Sequence, residues 1–156
     1  MNIFRVKFDS ISTAISTVGI LVFLVVILSF INNYIANKSI GYILLAIFVL
    51  LLPIVFYLRI PKYIYIDNGS LIIKQNLGEI IIKDIVKIYK VSSVPPMTYG
   101  TKGFFGYQGN SIDDFASFIM DKSNIVAIET NHKKYLISCE NSSELIAIAN
   151  SNIIKE

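Results

Sequence analysis

Two uncharged stretches near the start of the chain limit its folding options more than any other feature. Ala14 to Ile31 reads AISTVGILVFLVVILSFI, 18 residues without a charge, and Ile40 to Leu58 reads IGYILLAIFVLLLPIVFYL, another 19. At 1.5 Å per residue they extend about 27 and 28 Å, close to the roughly 30 Å hydrocarbon core of a bilayer. Lipid offers backbone polar groups no partners, so each stretch is expected to be a helix there. As buried core helices the two would need a large protein around them, and only about 95 residues follow them. A cleaved signal peptide is a second alternative, and Arg5 and Lys7 suit its basic start. Against it, the apolar run exceeds the usual stretch of about 7–15 residues, and Ala36 with Tyr34 before it makes a poor cleavage site.

The reading that follows is a transmembrane helical hairpin over residues 11–58, joined through Asn32–Ser39. Arg5 and Lys7 precede the pair, Arg59 and Lys62 follow it, and Lys38 lies between. The excess of basic residues on one side places both termini in the cytoplasm of a two-pass inner-membrane protein. A reduced, lone Cys139 fits that compartment. The sequons at Asn68 and Asn141 then face the cytoplasm and read as chance matches, and Asn37 carries a third. Tyr34, Tyr42 and Tyr57 sit near the span ends, where amphipathic rings favour the interface. No ionisable side chain lies inside either stretch, so an anchor is expected rather than a transporter or proton pump.

The 156 residues are 54% apolar and 16% charged, against about 45–50% and 25% in soluble domains. These values exclude a disordered chain, a coiled-coil chain, a collagen-like repeat and a disulfide scaffold. The apolar excess is concentrated before residue 59. From Arg59 onward 11 Lys and Arg face 10 Asp and Glu, a balance too even for a nucleic-acid binder and for a strong polybasic lipid sensor. A weak contact of Arg59, Lys62, Lys133 and Lys134 with anionic lipid is still expected.

From Pro61 the pattern turns to strands. Lys62–Ile66 alternates with period two, Asp67-Asn68-Gly69 interrupts, and Ser70–Lys74 follows. Asn-Gly between such runs signals a tight hairpin, because both residues tolerate positive φ. Glu79–Lys83 and Ile85–Val91 complete a four-strand antiparallel meander. Phe115–Lys122, Ile125–Thr130 and Lys133–Ser138 are the next three strands. The last segment is helical, with capping-box spacing between Asn141 and Glu144 and an apolar stripe of Leu145, Ile146, Ala149 and Ile153. The expected architecture over residues 61–155 is a small, mostly β domain of about seven antiparallel strands with a C-terminal capping helix.

Ser92 to Ile112 breaks this rhythm. Pro95 and Pro96 forbid a central strand locally, and Gly100, Gly103, Gly106 and Gly109 recur at every third position. Three readings of the block stand. It is a bulged, strongly bent strand pair with Phe104, Phe105 and Tyr107 in the core, a groove for a peptide or protein partner, or a set of aromatics inserted in the nearby bilayer. It matches no nucleotide loop, since Lys102 is followed by Gly103 and Phe104, and no helix opens after it.

Three features carry a family resemblance. They are the block Tyr99-Gly100-Thr101-Lys102-Gly103-Phe104-Phe105-Gly106-Tyr107-Gln108-Gly109, the pair Ile125–Thr130 and Tyr135–Ser138, and the terminal helix after Asn141-Ser142-Ser143-Glu144-Leu145. With them the chain resembles the bacterial pleckstrin-homology-like (PH-like) domain carried on a two-helix membrane anchor, over roughly residues 61–154. Cys139 stands where that family usually has proline. The resemblance implies two near-orthogonal antiparallel sheets closed by a C-terminal helix, and no catalytic role.

Chemistry-bearing residues are sparse. His132 is the lone histidine, in an expected turn, and one histidine with one cysteine makes no conventional zinc site. Asp113 and Asp114 are adjacent, which does not make an acid/base pair. Ser138 and Cys139 have no activating base nearby in sequence. The expectation is therefore a non-catalytic protein without metal or cofactor, binding a protein or peptide at the cytoplasmic face. The candidate surface is Gly100, Lys102, Gly103, Phe104, Phe105, Gly106, Tyr107 and Gly109, where aromatic anchors stand among close-approach glycines. The alternative is a structural or regulatory subunit whose helical hairpin binds a membrane protein.

The topology is open to a direct test with single cysteines at Lys38 and Asn68. A membrane-impermeant thiol reagent applied from the cytoplasmic side will label position 68 and spare position 38. Labelling of position 38 from that side refutes the topology.

Overall fold

The computed structural model describes residues 2–152. Strand β1 (Ile3–Arg5) leads into α1 (Ser10–Asn37) and α2 (Ile40–Leu58). Nine strands follow: β2 (Pro61–Asp67), β3 (Ser70–Gln75), β4 (Glu79–Ile82), β5 (Ile85–Val91), β6 (Met97–Gly100), β7 (Tyr107–Ser111), β8 (Phe115–Ile119), β9 (Ile125–Thr130) and β10 (Lys134–Ser138). The helix α3 (Ser142–Asn152) comes last.

Both long helices are present and largely uncovered, as core helices would not be. Only Ser12 and Ser16 of α1 and Ala46 of α2 are buried. Their length and composition suffice to cross a membrane. The connection is shorter than the sequence suggests. Asn32–Asn37 stays helical, with the Asn33 and Asn37 side-chain amides donating to the Ser29 and Asn33 carbonyls. Only Lys38 and Ser39 lie between the helices, and Lys38 takes the left-handed conformation that ends α1. The helix α2 continues through Pro53.

The strands form two sheets, ordered β1-β2-β3-β4 and β5-β9-β10-β8-β7-β6. Ten strands thus replace the expected seven. The first sheet gains β1, which pairs antiparallel with β2 through Phe4↔Ile64. The strand before the helical hairpin and the strand after it are therefore neighbours, which holds the near ends of α1 and α2 together. The expected meander is divided, because Asp84 at φ 53° turns the chain and sends β5 into the second sheet. The irregular segment yields β6 and β7, paired with a register shift between Met97 and Tyr99.

The expectation of purely antiparallel strands fails at β8 and β10, which pair in parallel. Strand β10 is inserted between β8 and β9, so the β8–β9 connection must pass its end. Ser138 Oγ, buried at that end, accepts the Met120 and Asp121 N–H groups at 2.7 and 3.0 Å. That pull ends β8 at Ile119, three residues before the expected end.

The main core lies between the sheets and α3, where Ile64, Leu71, Ile73, Val126, Ile128, Ile137 and Leu145 meet. A second cluster, Phe115, Ile119, Ile125, Ala127 and Leu136, covers the other face of the larger sheet, with Val94, from the connection between β5 and β6, packed on it. In α3, Leu145 and Ala149 are fully buried, while Ile153 lies outside the described residues. Asn141 opens the helix through its carbonyl, which accepts the Glu144 and Leu145 N–H groups.

Asn68 and Gly69 both have positive φ, 47° and 73°, between the paired residues Asp67 and Ser70. This is the two-residue turn with left-handed centres that asparagine and glycine favour. Gly69→Val will destabilise the domain by about 1 kcal/mol or more, because a β-branched residue resists that conformation. Denaturant unfolding measures it, and an unchanged midpoint counts against the turn.

Candidate functional site

The glycine-aromatic block folds as a hairpin that leaves the sheet and rests on both apolar helices. Gly100 and Gly109 are partners across β6 and β7, so close that a side chain on either would strike the opposite strand's backbone. Beyond them Thr101 Oγ1 donates to the Gly106 carbonyl at 2.9 Å and accepts the Gln108 N–H at 3.1 Å. Gly103 and Gly106 exchange backbone hydrogen bonds of 3.0 and 3.2 Å. The Gln108 amide, buried, donates to the Phe105 carbonyl at 2.8 Å.

The tip of this hairpin meets one face of α1. Ser12, Ser16 and Gly19 share that face at spacings of four and three. Ser16 Oγ accepts the Phe105 N–H at 2.8 Å and donates to the Ser12 carbonyl at 2.6 Å. Gly103 holds φ 100°, a conformation that side-chain-bearing residues rarely adopt, and its backbone lies against Ile15, whose Cδ1 would be 2.6 Å from a Cβ there. A Cβ at Gly19 would lie 2.6 Å from the Phe104 ring. That ring sits 5.6 Å from Phe23 and 6.4 Å from Phe56, centroid to centroid. Phe105 packs edge-on against Tyr57 at 6.4 Å and joins Ile60 and Met120 in a small buried cluster.

The β3–β4 turn makes a second attachment. Leu77 N–H donates to the Leu58 carbonyl, the Asn76 side chain to the Tyr57 carbonyl, and the Gln75 side chain to the Arg59 carbonyl, at 2.7–2.9 Å. These donors add partners to carbonyls at the end of α2, where the Tyr57 carbonyl also accepts the Ile60 N–H at 3.2 Å. At the start of α1, Asp9 Oδ1 accepts the Ser12 N–H at 2.6 Å and its own N–H donates to Met120. Burial alone would push the Asp9 carboxyl up. The hydrogen bonds from Ser12 and the Lys122 N–H outweigh it, and the group lies below its ordinary value.

The eight candidate residues therefore divide. Phe105, Gly103 and Gly106 are buried and Phe104 is half-buried, all within or beside the contact with the helices. Gly100 and Lys102 are exposed, and Tyr107 and Gly109 half-buried. Lys102 and Tyr107 line a cavity of about 430 Å³ with Lys122 and the segment Ser92–Met97. The Lys122 ammonium lies 4.7 Å from the Tyr107 ring centre. Tyr107, with Asp9 further off, holds it above its usual range despite some opposing burial.

The reactive candidates lie away from the tip of this hairpin. His132 and Asp114 line a separate cavity of about 650 Å³ with Lys133 and Lys134, and all four are exposed. Cys139 is 1% exposed, and burial, aided by the Glu140 carboxylate, pushes its thiol up to about 12. It is a protonated core side chain. Ser138 holds two backbone N–H groups in place, as described above. Among the described residues no group of three His, Cys, Asp or Glu is placed to hold a metal ion.

Sequence reasoning missed the helix side of this contact. The spacing of Ser12, Ser16 and Gly19 was available as a signal, but nothing in the sequence said that a hairpin some 85 residues later would fill it. No family model, no curated protein and no solved structure matches the chain.

Ser16→Ala leaves the buried Phe105 N–H without an acceptor, which costs about 1–3 kcal/mol. Unfolding of the full chain in micelles will show that loss. Thr17→Ala, on the exposed side of the same turn, will leave the midpoint within error. Equal behaviour of the two variants refutes the assigned contact.

Proposed function

We propose that this chain is a membrane-tethered, non-catalytic interaction module. Its α1–α2 hairpin crosses the inner membrane, and its two-sheet domain, of PH-like class, holds a protein or peptide partner at the cytoplasmic face. The observation that carries this reading is the seating of the domain on the helices. Ser16, Phe104, Phe105 and the β3–β4 turn join domain and helices at several points, so the domain is fixed against the helix pair rather than hung from a linker. Fixed placement confines the domain's open surface to a layer next to the bilayer and raises its effective concentration for a membrane-bound partner.

Within the candidate block, Phe104 and Phe105 serve this seating, which leaves Lys102 and Tyr107 for the partner. They face the cavity beside Pro95 and Pro96, where an aromatic ring and two lysines suit a segment carrying an acidic group. The glycine-aromatic hairpin and the helix packed on β5 and β9 support the PH-like classification.

The test places a photo-crosslinking residue at Tyr107 in the full chain in native membranes, with a second at Ser143 on α3. Position 107 will capture one discrete protein, and Lys102→Glu will lower that yield about fivefold or more, whereas position 143 will not capture it. Equal capture at both positions, or a yield indifferent to Lys102→Glu, overturns the proposal.

A further inference from the structure

The face of α1 turned away from α2 and from the sheet domain carries a pattern of its own. Phe23, Val26, Ile27, Phe30 and Tyr34 are half-buried on the α2 side. Val18, Leu21, Val25, Leu28 and Asn32 recur at alternating spacings of three and four on the opposite side, Ile35 continues the series, and Ile11 lies one heptad before Val18 with Ala14 at the position between. The apolar members are each more than half exposed. This is a heptad seam, with β-branched residues at Ile11, Val18 and Val25, leucine at Leu21 and Leu28, and asparagine at Asn32 in a position otherwise β-branched. In parallel two-stranded coils, β-branched residues favour the first core position and leucine the second. A single buried asparagine at the first position fixes register and partner number.

The depth of Asn32 is the second observation. Only Lys38 and Ser39 join the helices, so Asn32, six residues before Lys38, lies about 9 Å along α1 from the turn. That is level with Leu45 of α2. The exposed Arg59 follows directly on α2, and a charge there keeps Leu58 near the membrane boundary. Ile40–Leu58 then spans the hydrocarbon, and Asn32 lies inside it. Asn33 and Asn37 turn their amides onto carbonyls of α1, whereas among the described residues the Asn32 amide makes no side-chain hydrogen bond. It faces a surface groove lined by Val25, Leu28, Ser29 and Asn33. A bare amide facing lipid is costly.

We propose that this face of α1 pairs with the same face of a second copy of the chain, as a parallel two-helix seam with Asn32 meeting Asn32. Copies inserted in the same orientation hold every residue at the same depth, so a two-fold axis along the membrane normal brings the two amides together. Each amide is both donor and acceptor, so the pair satisfies itself. Interhelical hydrogen bonds of this kind stabilise helix association in lipid. The inference rests on the reading that α1 and α2 cross a bilayer.

The test uses the full chain in phospholipid vesicles, with single cysteines added at Leu28 on the seam and at Phe48 on α2 at a similar depth. Co-flotation with vesicles after an alkaline wash reports insertion separately, so a chain that fails to float refutes the spanning reading itself. In floated samples, mild oxidation will join Leu28→Cys chains into a covalent dimer and leave Phe48→Cys chains at the parent level. Energy transfer between labelled copies will show Asn32→Leu weakening association about fivefold, and Asn32→Gln retaining it. A floated monomer, equal crosslinking from Phe48→Cys, or unchanged association of Asn32→Leu overturns the pairing. So does capture by Leu28→Cys, in native membranes, of a different protein in place of its own copy.

Discussion

The Phe105 amide and the Ser16 hydroxyl meet across 89 positions of sequence, and the rest of the architecture is arranged around that hydrogen bond. Gly103, at φ 100°, brings the hairpin backbone up to Ile15, and Gly19 leaves room for the Phe104 ring beside it. With the contact made, α1 becomes the support of the β6–β7 hairpin. That hairpin continues through β7 into β8, the neighbour of β10, so the larger sheet is registered against the helix pair. Three small groups, one hydroxyl and two missing side chains, thus join the β3–β4 turn in seating one part of the chain on another that differs sharply from it in composition.

What the sequence revealed and what it withheld follow from the range of the interactions involved. Uncharged length identifies α1 and α2 because helix formation is local. Strands β2 and β5 were legible from period-two alternation, β3 and β9 from short apolar runs bounded by turn residues, and Asn68-Gly69 forms the turn its residues favour. Strand β1 was not legible, because Ile3–Arg5 is too short to show a period and is held by a partner some 60 residues away. The parallel pairing of β8 and β10 was hidden for the same reason, since strand order is decided by packing across the sheet and not by either strand's own residues.

The glycine-aromatic block shows the same limit at the candidate site. Glycines at every third position signalled close approach and strong bending, and both are present. The sequence did not say what approaches. Aromatic rings beside glycines read equally well as core, as partner anchors or as groups placed in lipid. The resolution is mixed, with Phe104 and Phe105 against the chain's own helices and Lys102 and Tyr107 on an open cavity. Only Ser12, Ser16 and Gly19, far away in sequence, separate these outcomes.

The pairing of β1 with β2 has a consequence for assembly. Its two strands are separated by the entire helical hairpin, so the smaller sheet cannot acquire its outer strand until both helices have been made and brought side by side. Until then the Ile64 side of β2 lacks the covering that Phe4 supplies, and β2 presents a bare edge of the kind that recruits other chains. A shortened form beginning after the helices would keep that edge permanently. Strand β1 therefore acts as a latch that can close only once the helix pair is in place, so that its pairing with β2 reports that the two helices lie side by side.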